Sequence, residues 1–467
     1  DRSGYDCHVG VTVYNTIIIF FVPVGNTYYN VTVFWDKLLS FLFLSFVSTK
    51  ILLTYTAVKK MLLRSTARLF SSTARGTASS DVVIVSAART PIASFNGALS
   101  SMTAPQLGSV AIKEVLERAS LQPNEIDEVY LGNVVSAMVG QAPAKQATLG
   151  AGLPNTIPCT TINKVCASGM KSVMMASQSI MLGNQSIMLA GGFESMSKIP
   201  FYIARGSAGF GHGKIVDGMI YDGLWDPYDD QHMGNCAEAC ANTYGFSRED
   251  QDAYAIESYR RAAEASNAGR FVEEIAPVTL KVRGKEVVVD VDEEFSNIKM
   301  EKIPTLRPAF QKDGSVTAAN ASSINDGACA LTLMSAGTAA ARGLQPLARI
   351  RGFGDAAKAP IEFTTAPAKA VPIALQNAGL TMNDIEYHEI NEAFSVVALA
   401  NMELMGLDHS RVNVNGGAVA LGHPIGCSGA RIITTLMQVL KQNDATLGAA
   451  SICNGGGGAS AIVIERL

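Results

Sequence analysis

One pattern occurs twice in this chain, and it limits the folds open to it more than any other feature. A loop carrying Asn163 and Cys166 leads into Ser168-Gly169-Met170-Lys171, then an apolar helix, then the run SIMLAGG, which ends on Gly191 and Gly192. Much further on, a loop carrying Asn415 and His423 leads into Ser428-Gly429-Ala430-Arg431, a second helix, and the run ASICNGGGG. The order of loop, helix and strand is the same. Two α/β halves, each a sheet with helices on its faces, satisfy such a duplication, with their loop-to-helix junctions facing one cleft.

The surrounding texture agrees. From Asp81 onward, short β-branched runs such as DVVIVSA and EVYLGNVV alternate with Ala-rich stretches such as APQLGSVAIKEVLERA. That alternation predicts a mostly parallel sheet covered by helices. Between residues 200 and 319 the texture turns to Gly/Asp/Tyr-rich loops and charged helices, read as an inserted subdomain. Within it, SREDQDAYAIESYRRAAEA reads as a solvated charged face without function.

The first eighty residues read differently. Residues 11–58 are apolar and β-branched, and the run 38–58 approaches the length of a membrane span but contains Lys50 and several Ser/Thr. MLLRSTARLFSSTARGTASS, from Met61, has three Arg and no acidic residue, the composition of a mitochondrial presequence. The expectation is therefore an upstream extension over 1–60, with a membrane anchor as the alternative, and a presequence over 61–80. An N-terminal half would follow over 81–337 and a C-terminal half over 338–467.

Composition excludes some partners. The formal net charge is -4 and no Lys/Arg block interrupts the body, so the basic footprint for nucleic acid is missing. The eight cysteines lack the dense spacing of a disulfide-stapled domain, which points to a reducing compartment. His232, Cys236 and Cys240 have helical spacing but no fourth metal ligand.

Four segments carry the chemistry. In INKVCASGMKSV, Cys166 sits where a loop enters a helix, a place that favours thiolate; taken alone, such a cysteine is more often a buried cap residue. NGGAVALGHPIGCSGARI fixes His423 between Gly422 and Pro424. A histidine held there can take a thiol proton and later face an oxyanion, although a lone histidine is more often structural. SICNGGGGASA ends a strand on Cys453 and offers unshielded N–H groups from Gly455 onward, an oxyanion hole or else a linker. HEINEAFS sets Asn391 before a helix, to hold a water or carbonyl or to serve as an ordinary N-cap.

Together VCASGMKS, NEAF, GGAVALGHPIGCSGAR and CNGGGGASA resemble the thiolase superfamily from about Asp81 to Leu467, and HMGNCAE is similar to its short-chain acetyl-CoA acetyltransferases. The resemblance implies a five-layer αβαβα sandwich of duplicated α/β halves. It also implies that Cys166 is acylated, that His423 activates it, and that Cys453 shuttles the α-proton of the second acyl-CoA. His423 and a water on Asn391 would hold the enolate; N–H groups of Cys166 and Gly455 would hold the acyl oxyanion, at about 3 kcal/mol per donor. Tyr228, Lys302 and Ser322 match positions that contact coenzyme A, while His232 and Met233 match the pantetheine and acyl pocket. Where the family has an arginine, this chain reads Asn297-Ile298-Lys299.

Tyr228, Ala318, Ala319, Ala321 and Val419 match a potassium site, and no redox cofactor is implied. The expected partners are acetyl-CoA, acetoacetyl-CoA and CoA, in a homotetramer of the mitochondrial matrix without stable membrane insertion. A long-chain 3-ketoacyl-CoA thiolase is the alternative within the fold. An inactive scaffolding relative would be expected to lack Cys166, His423 or Cys453, and a ketoacyl synthase would pair one cysteine with two histidines.

Overall fold

The computed structural model describes residues 80–206 and 209–467, together with three strands nearer the N-terminus. Those strands, Val11–Tyr14, Ile17–Val24 and Thr27–Phe34, form an antiparallel sheet in that order within the unit 1–75. The apolar run 38–58 and the presequence from Met61 fall outside the described residues. Among the described residues no helix is long and apolar enough to cross a membrane.

The unit 76–467 is built on ten strands. The first six are β1 (Val82–Arg89), β2 (Ala93–Ser94), β3 (Glu128–Gly132), β4 (Cys159–Ile162), β5 (Ile187–Ser195) and β6 (Asn325–Ser335). The last four are β7 (Ala348–Ala357), β8 (Tyr387–Ile390), β9 (Leu447–Asn454) and β10 (Gly458–Arg466). Their spatial order is β8-β9-β10-β7-β1-β6-β5-β3-β4, with β2 on the end of β6. Read outward from the centre, one side runs β1-β6-β5-β3-β4 and the other β7-β10-β9-β8, with Val412 then bridging His388 in parallel where β4 has its counterpart. The duplication seen in the sequence is thus a duplication of topology. Only Ala348 with Ile84 and Arg349 with Val83 join the two sides.

The sheet is mixed rather than mostly parallel. Only β3 with β4, β3 with β5, and β8 with β9 run parallel. The glycine turn at 455–457 is too short for a crossover, so β9 and β10 pair antiparallel.

Strand alternation sets the layers. Val82 and Ile84 of β1 face one apolar cluster and Val83 and Val85 face another. The first cluster also takes Ile462 and Ile464 of β10. It includes Met170, Val173 and Met174 of α3 (Ser168–Met181) and Ile432, Ile433 and Leu436 of α8 (Ser428–Gln442), so these two helices lie between the two half-sheets. The outer faces are covered by α1 (Ala104–Arg118) and α2 (Pro143–Gly150) on one side and by α6 (Pro367–Ala378) on the other. The result is the five-layer sandwich expected. Each large side chain removed from water in these layers contributes roughly 1.5–3 kcal/mol.

Glycine lets the central helices touch. A Cβ on Gly169 would stand 2.9 Å from the Ala430 nitrogen and the Gly426 oxygen, and one on Gly429 would stand 2.5 Å from the Met170 nitrogen. The start of α3 therefore packs directly on the start of α8.

The helices between residues 233 and 267 pack on elements near the C-terminus. Met233, Cys236 and Cys240 of α4 (Met233–Tyr244) share a cluster with Val396, Val397 and Ala400 of α7 (Ser395–Met405), and with Cys453. The charged helix α5 (Arg248–Asn267) is solvated on one face only. Its other face buries Tyr254, Ser258 and Tyr259 among others, and the Tyr254 and Ser258 hydroxyls each donate to Glu392 at 2.8 Å. The reading of that segment as a purely solvated face is corrected: its buried residues recur every three or four positions beneath the charges.

Candidate active site

Cys166 lies in the loop between β4 and α3, and local hydrogen bonds dictate the shape of that loop. The Asn163 carbonyl oxygen accepts from the Val165 N–H at 3.0 Å, and its amide donates to the Val134 carbonyl at 3.1 Å. Ser168 accepts from the Lys164 N–H at 2.8 Å and donates to the Val165 carbonyl at 2.5 Å. Val165 is thereby held at φ 47°, unusual for a β-branched residue, and Cys166 is presented to a cavity while only 5% exposed.

His423 reaches the same cavity from the other half. Its N–H donates to the Asn325 side chain at 2.8 Å, and the Gly426 N–H donates to Glu194 at 3.0 Å, which ties the loop to the N-terminal strands. The ring Nδ1 is 2.6 Å from the Ser428 hydroxyl. That hydroxyl also lies 3.0 Å from the Pro424 carbonyl; when it donates there, Nδ1 carries the ring proton and Nε2 keeps a lone pair. Nε2 lies 3.5 Å from the Asn391 amide nitrogen. The Asn391 carbonyl oxygen is buried without a protein partner. Asn391 is not a helix cap, because α7 begins after Phe394 and has no side-chain cap.

The turn after β9 completes the group. Cys453 is fully buried in the α4/α7 cluster and does not line the cavity, yet it is close enough to Cys166 that a negative charge on one sulfur opposes one on the other. The Gly455 N–H lies near enough to the Cys166 sulfur to favour its charged form. A Cβ on Gly457 would stand 2.3 Å from the Lys358 carbonyl, and its φ of 83° also favours glycine.

Electrostatics corrects one expectation. Burial pushes the Cys166 thiol up to about 11, and the Gly455 N–H offsets this only in part. The start of α3 does not make Cys166 a resting thiolate, because desolvation outweighs the helix end. Burial, followed by the Arg431 charge, lowers His423 to about 3. Cys453 is raised well above the ordinary thiol value, by burial first and Cys166 second. The resting site is a neutral thiol beside a neutral imidazole.

The cavity holds about 200 Å³, and its wall is mostly apolar. Met233 and His232 line it as expected. The His232 Nδ1 accepts from the Gly234 N–H at 3.1 Å, capping α4, while its ring lies 4.7 Å from Phe310. Ser322 also lines it and donates to the Ala393 carbonyl at 3.0 Å. Tyr228 is largely exposed near Gly456, and Lys302 sits on the exposed turn Met300–Thr305, away from the cavity wall. Of the residues matched to potassium, Ala321 lines the cavity, Ala319 and Val419 share a neighbouring cluster, and Ala318 is exposed. Sequence reasoning missed Phe310, Phe363, Ile425 and Met196 on the wall. Ala393 and Phe394, inside NEAF, and Ile425, inside GGAVALGHPIGCSGAR, carried a signal only as parts of those motifs.

Family models described as "Thiolase, N-terminal domain" and "Thiolase, C-terminal domain" match residues 82–337 and 344–466. The chain belongs to the thiolase family. It is 56% identical over 390 residues to acetyl-CoA acetyltransferase 1 of Arabidopsis thaliana, covering 82% of this chain and 94% of the relative. It is 55% identical over 389 residues to the mitochondrial acetyl-CoA acetyltransferase of Rattus norvegicus, covering 83% and 91%. It is also 55% identical over 390 residues to a cytosolic acetyl-CoA acetyltransferase of Gibberella zeae, covering 83% and 98%. The crystal structure of the Acat5 thiolase from Ascaris suum in complex with coenzyme A matches with a TM-score of 0.79 at 48% identity, covering 83% of this chain and all of that one.

Proposed function

We propose that this chain is an acetyl-CoA C-acetyltransferase, which condenses two acetyl-CoA into acetoacetyl-CoA and CoA and runs thiolysis in reverse. One observation carries the reading: the Cys166 thiol of one half and the His423 imidazole of the other share one mostly apolar cavity, with Nε2 of His423 facing the Asn391 amide. In the first step Nε2 takes the thiol proton as the sulfur attacks the thioester carbonyl, and the proton leaves with CoA as its free thiol. N–H groups of Cys166 and Gly455 hold the oxyanion.

In the second step Cys453 passes its thiol proton to His423, removes the α-proton of a second acetyl-CoA as thiolate, and takes its own proton back from His423 when the cycle closes. His423 and a water on the Asn391 carbonyl oxygen, which has no protein partner, hold the enolate oxygen. The carbon attacks the acyl group on Cys166, the C–S bond breaks, and Cys166 recovers a proton as Cys453 gives its own up. Met233, Phe310, Phe363 and Phe394 on the cavity wall favour a short acyl chain over the long-chain alternative.

The same reading assigns coenzyme A to Tyr228, His232, Met233, Ser322 and Lys302. It assigns the nucleophile to a half over 81–337, with the insert 200–319, and His423 and Cys453 to a half over 338–467. Potassium suits Tyr228 and the backbone at Ala318, Ala319, Ala321 and Val419. The Thr317 and Asn320 carbonyls there are engaged by the Ala321 and Ser395 N–H groups, so the turn presents those between them, and carbonyl oxygens are what this ion takes. When bound, the ion would stiffen the loop that carries Ser322. A location in the mitochondrial matrix fits the presequence composition from Met61, relatives of both compartments are similar to this chain, and the tetramer rests on the family resemblance alone.

Thiolysis assayed across acyl chain lengths, with and without potassium, tests the proposal. Efficient cleavage of acetoacetyl-CoA supports it, and cleavage confined to long chains would overturn it.

A further inference from the structure

Cys166 and the Gly455 N–H that meets its sulfur come from opposite halves of the chain, so something has to hold the two loops in register. The Lys164 ammonium, two residues before the nucleophile, reaches across to the C-terminal half. It pairs with Asp355 of β7 and donates to the Ser460 hydroxyl at 2.7 Å and the Ala459 carbonyl at 3.2 Å, both on β10. Ala459 is the register partner of Cys453 across the turn that carries Gly455. Ser460 in turn donates to Asp355 at 2.6 Å, and Lys171, one turn into α3, holds the other carboxylate oxygen at 2.6 Å.

Between Lys164 and Cys166 stands Val165 at φ 47°, and its side chain lies 3.4 Å from where a Cβ on Gly455 would be. A β-branched residue keeps such a backbone only where its surroundings over-determine it. Asp355 opposes its own burial through bonds from Lys164, Lys171 and Ser460, and these hold it down to about 2, so the clamp stays charged at neutral pH.

We propose that Lys164 and Asp355 are positioning residues: their ion pair locks the nucleophile loop, Val165 included, against the hairpin that carries Cys453 and Gly455. Neither touches the reacting atoms. The inference deepens the acyl-transfer reading and rests on it for its kinetic consequence.

The test uses the full chain with Lys164→Met, Asp355→Asn, the double variant and Lys171→Met. Acetoacetyl-CoA thiolysis is measured alongside the rate at which iodoacetamide alkylates Cys166 without substrate, followed by peptide mass. Each of the first two variants is expected to lower kcat about 10- to 100-fold with KM within about 3-fold, because a loop displaced by less than an ångström loses its attack geometry. The double variant is expected to fall within about 3-fold of the poorer single one, since both remove one interaction. Lys171→Met leaves the Lys164 tether and is expected to stay within about 3-fold of the parent.

Ser460→Ala removes one of Lys164's acceptors with little change in volume. It is expected to slow alkylation of Cys166 by about 2- to 5-fold, with Lys164→Met and Asp355→Asn slowing it further, and it carries the test if Lys164→Met folds poorly. Parent-like kcat and alkylation in Lys164→Met, additive losses in the double variant, or an equal loss in Lys171→Met would each overturn the clamp. Absence of any acetoacetyl-CoA cleavage by the parent would instead remove the functional reading, while the order of alkylation rates would still judge the clamp.

Discussion

The Ser428 hydroxyl lies 2.6 Å from Nδ1 of His423 and 3.0 Å from the Pro424 carbonyl, an acceptor for its single hydrogen. One serine thus sets the tautomer of the histidine and leaves Nε2 as the base. Ser428→Ala removes that constraint and is expected to lower kcat by about 10- to 100-fold, with KM for acetoacetyl-CoA little changed. Ser428→Thr, which keeps the hydroxyl, is expected to recover most of the loss; an alanine variant with parent-like kcat would show that the tautomer is set otherwise.

Burial raises the Cys166 thiol to about 11, above the ordinary thiol value. A raised value keeps the proton on sulfur, so thiolate grows about tenfold per pH unit until the medium passes that value. Alkylation of Cys166 in the substrate-free enzyme should climb steadily from neutral pH into the alkaline range. A plateau already reached at pH 7 would mean a resting thiolate pair.

Glu194 is buried and accepts from the Val134, Val135 and Gly426 N–H groups and from the Asn133 amide, at 2.8–3.3 Å. Glu194→Ala leaves these buried donors without an acceptor and is expected to cost about 3–5 kcal/mol. Chemical denaturation measures this, and a loss under about 1 kcal/mol would show that the donors find other partners.

Gly192 faces the Gly426 carbonyl oxygen, 2.0 Å from where its Cβ would be. Backbone cannot yield as a side-chain tip can, so Gly192→Ala should force the His423 loop away from β5. The expected outcome is a loss of about 4 kcal/mol or more, or insoluble protein. A soluble variant with an unchanged melting temperature would contradict the close approach.

Much of this was legible from residue order. The repeated Ser-Gly dipeptides marked the two helix starts that meet at Gly169 and Gly429, and the loops of Cys166, His423 and Cys453 announced themselves by small residues that permit close approach. Effects that arise only when distant segments meet were not legible. The height of the Cys166 pKa depends on walls supplied by α4, by residues 310 and 363, and by the opposite half. The antiparallel return of β10 follows from turn length, and the buried face of α5 was hidden beneath Arg260, Glu257 and Glu264. Lys164 looked like an ordinary surface charge because its partners lie in strands far along the sequence.

In the proposed reaction Cys166 alone takes the acyl group. The most direct measurement is peptide mass analysis after brief incubation of the full chain with acetyl-CoA and an acid quench. The expected result is one acetyl group on the peptide containing Cys166, absent in Cys166→Ser and still formed in Asn391→Ala. Acetyl found on Cys453, or on neither cysteine while acetoacetyl-CoA is still being made, would contradict it.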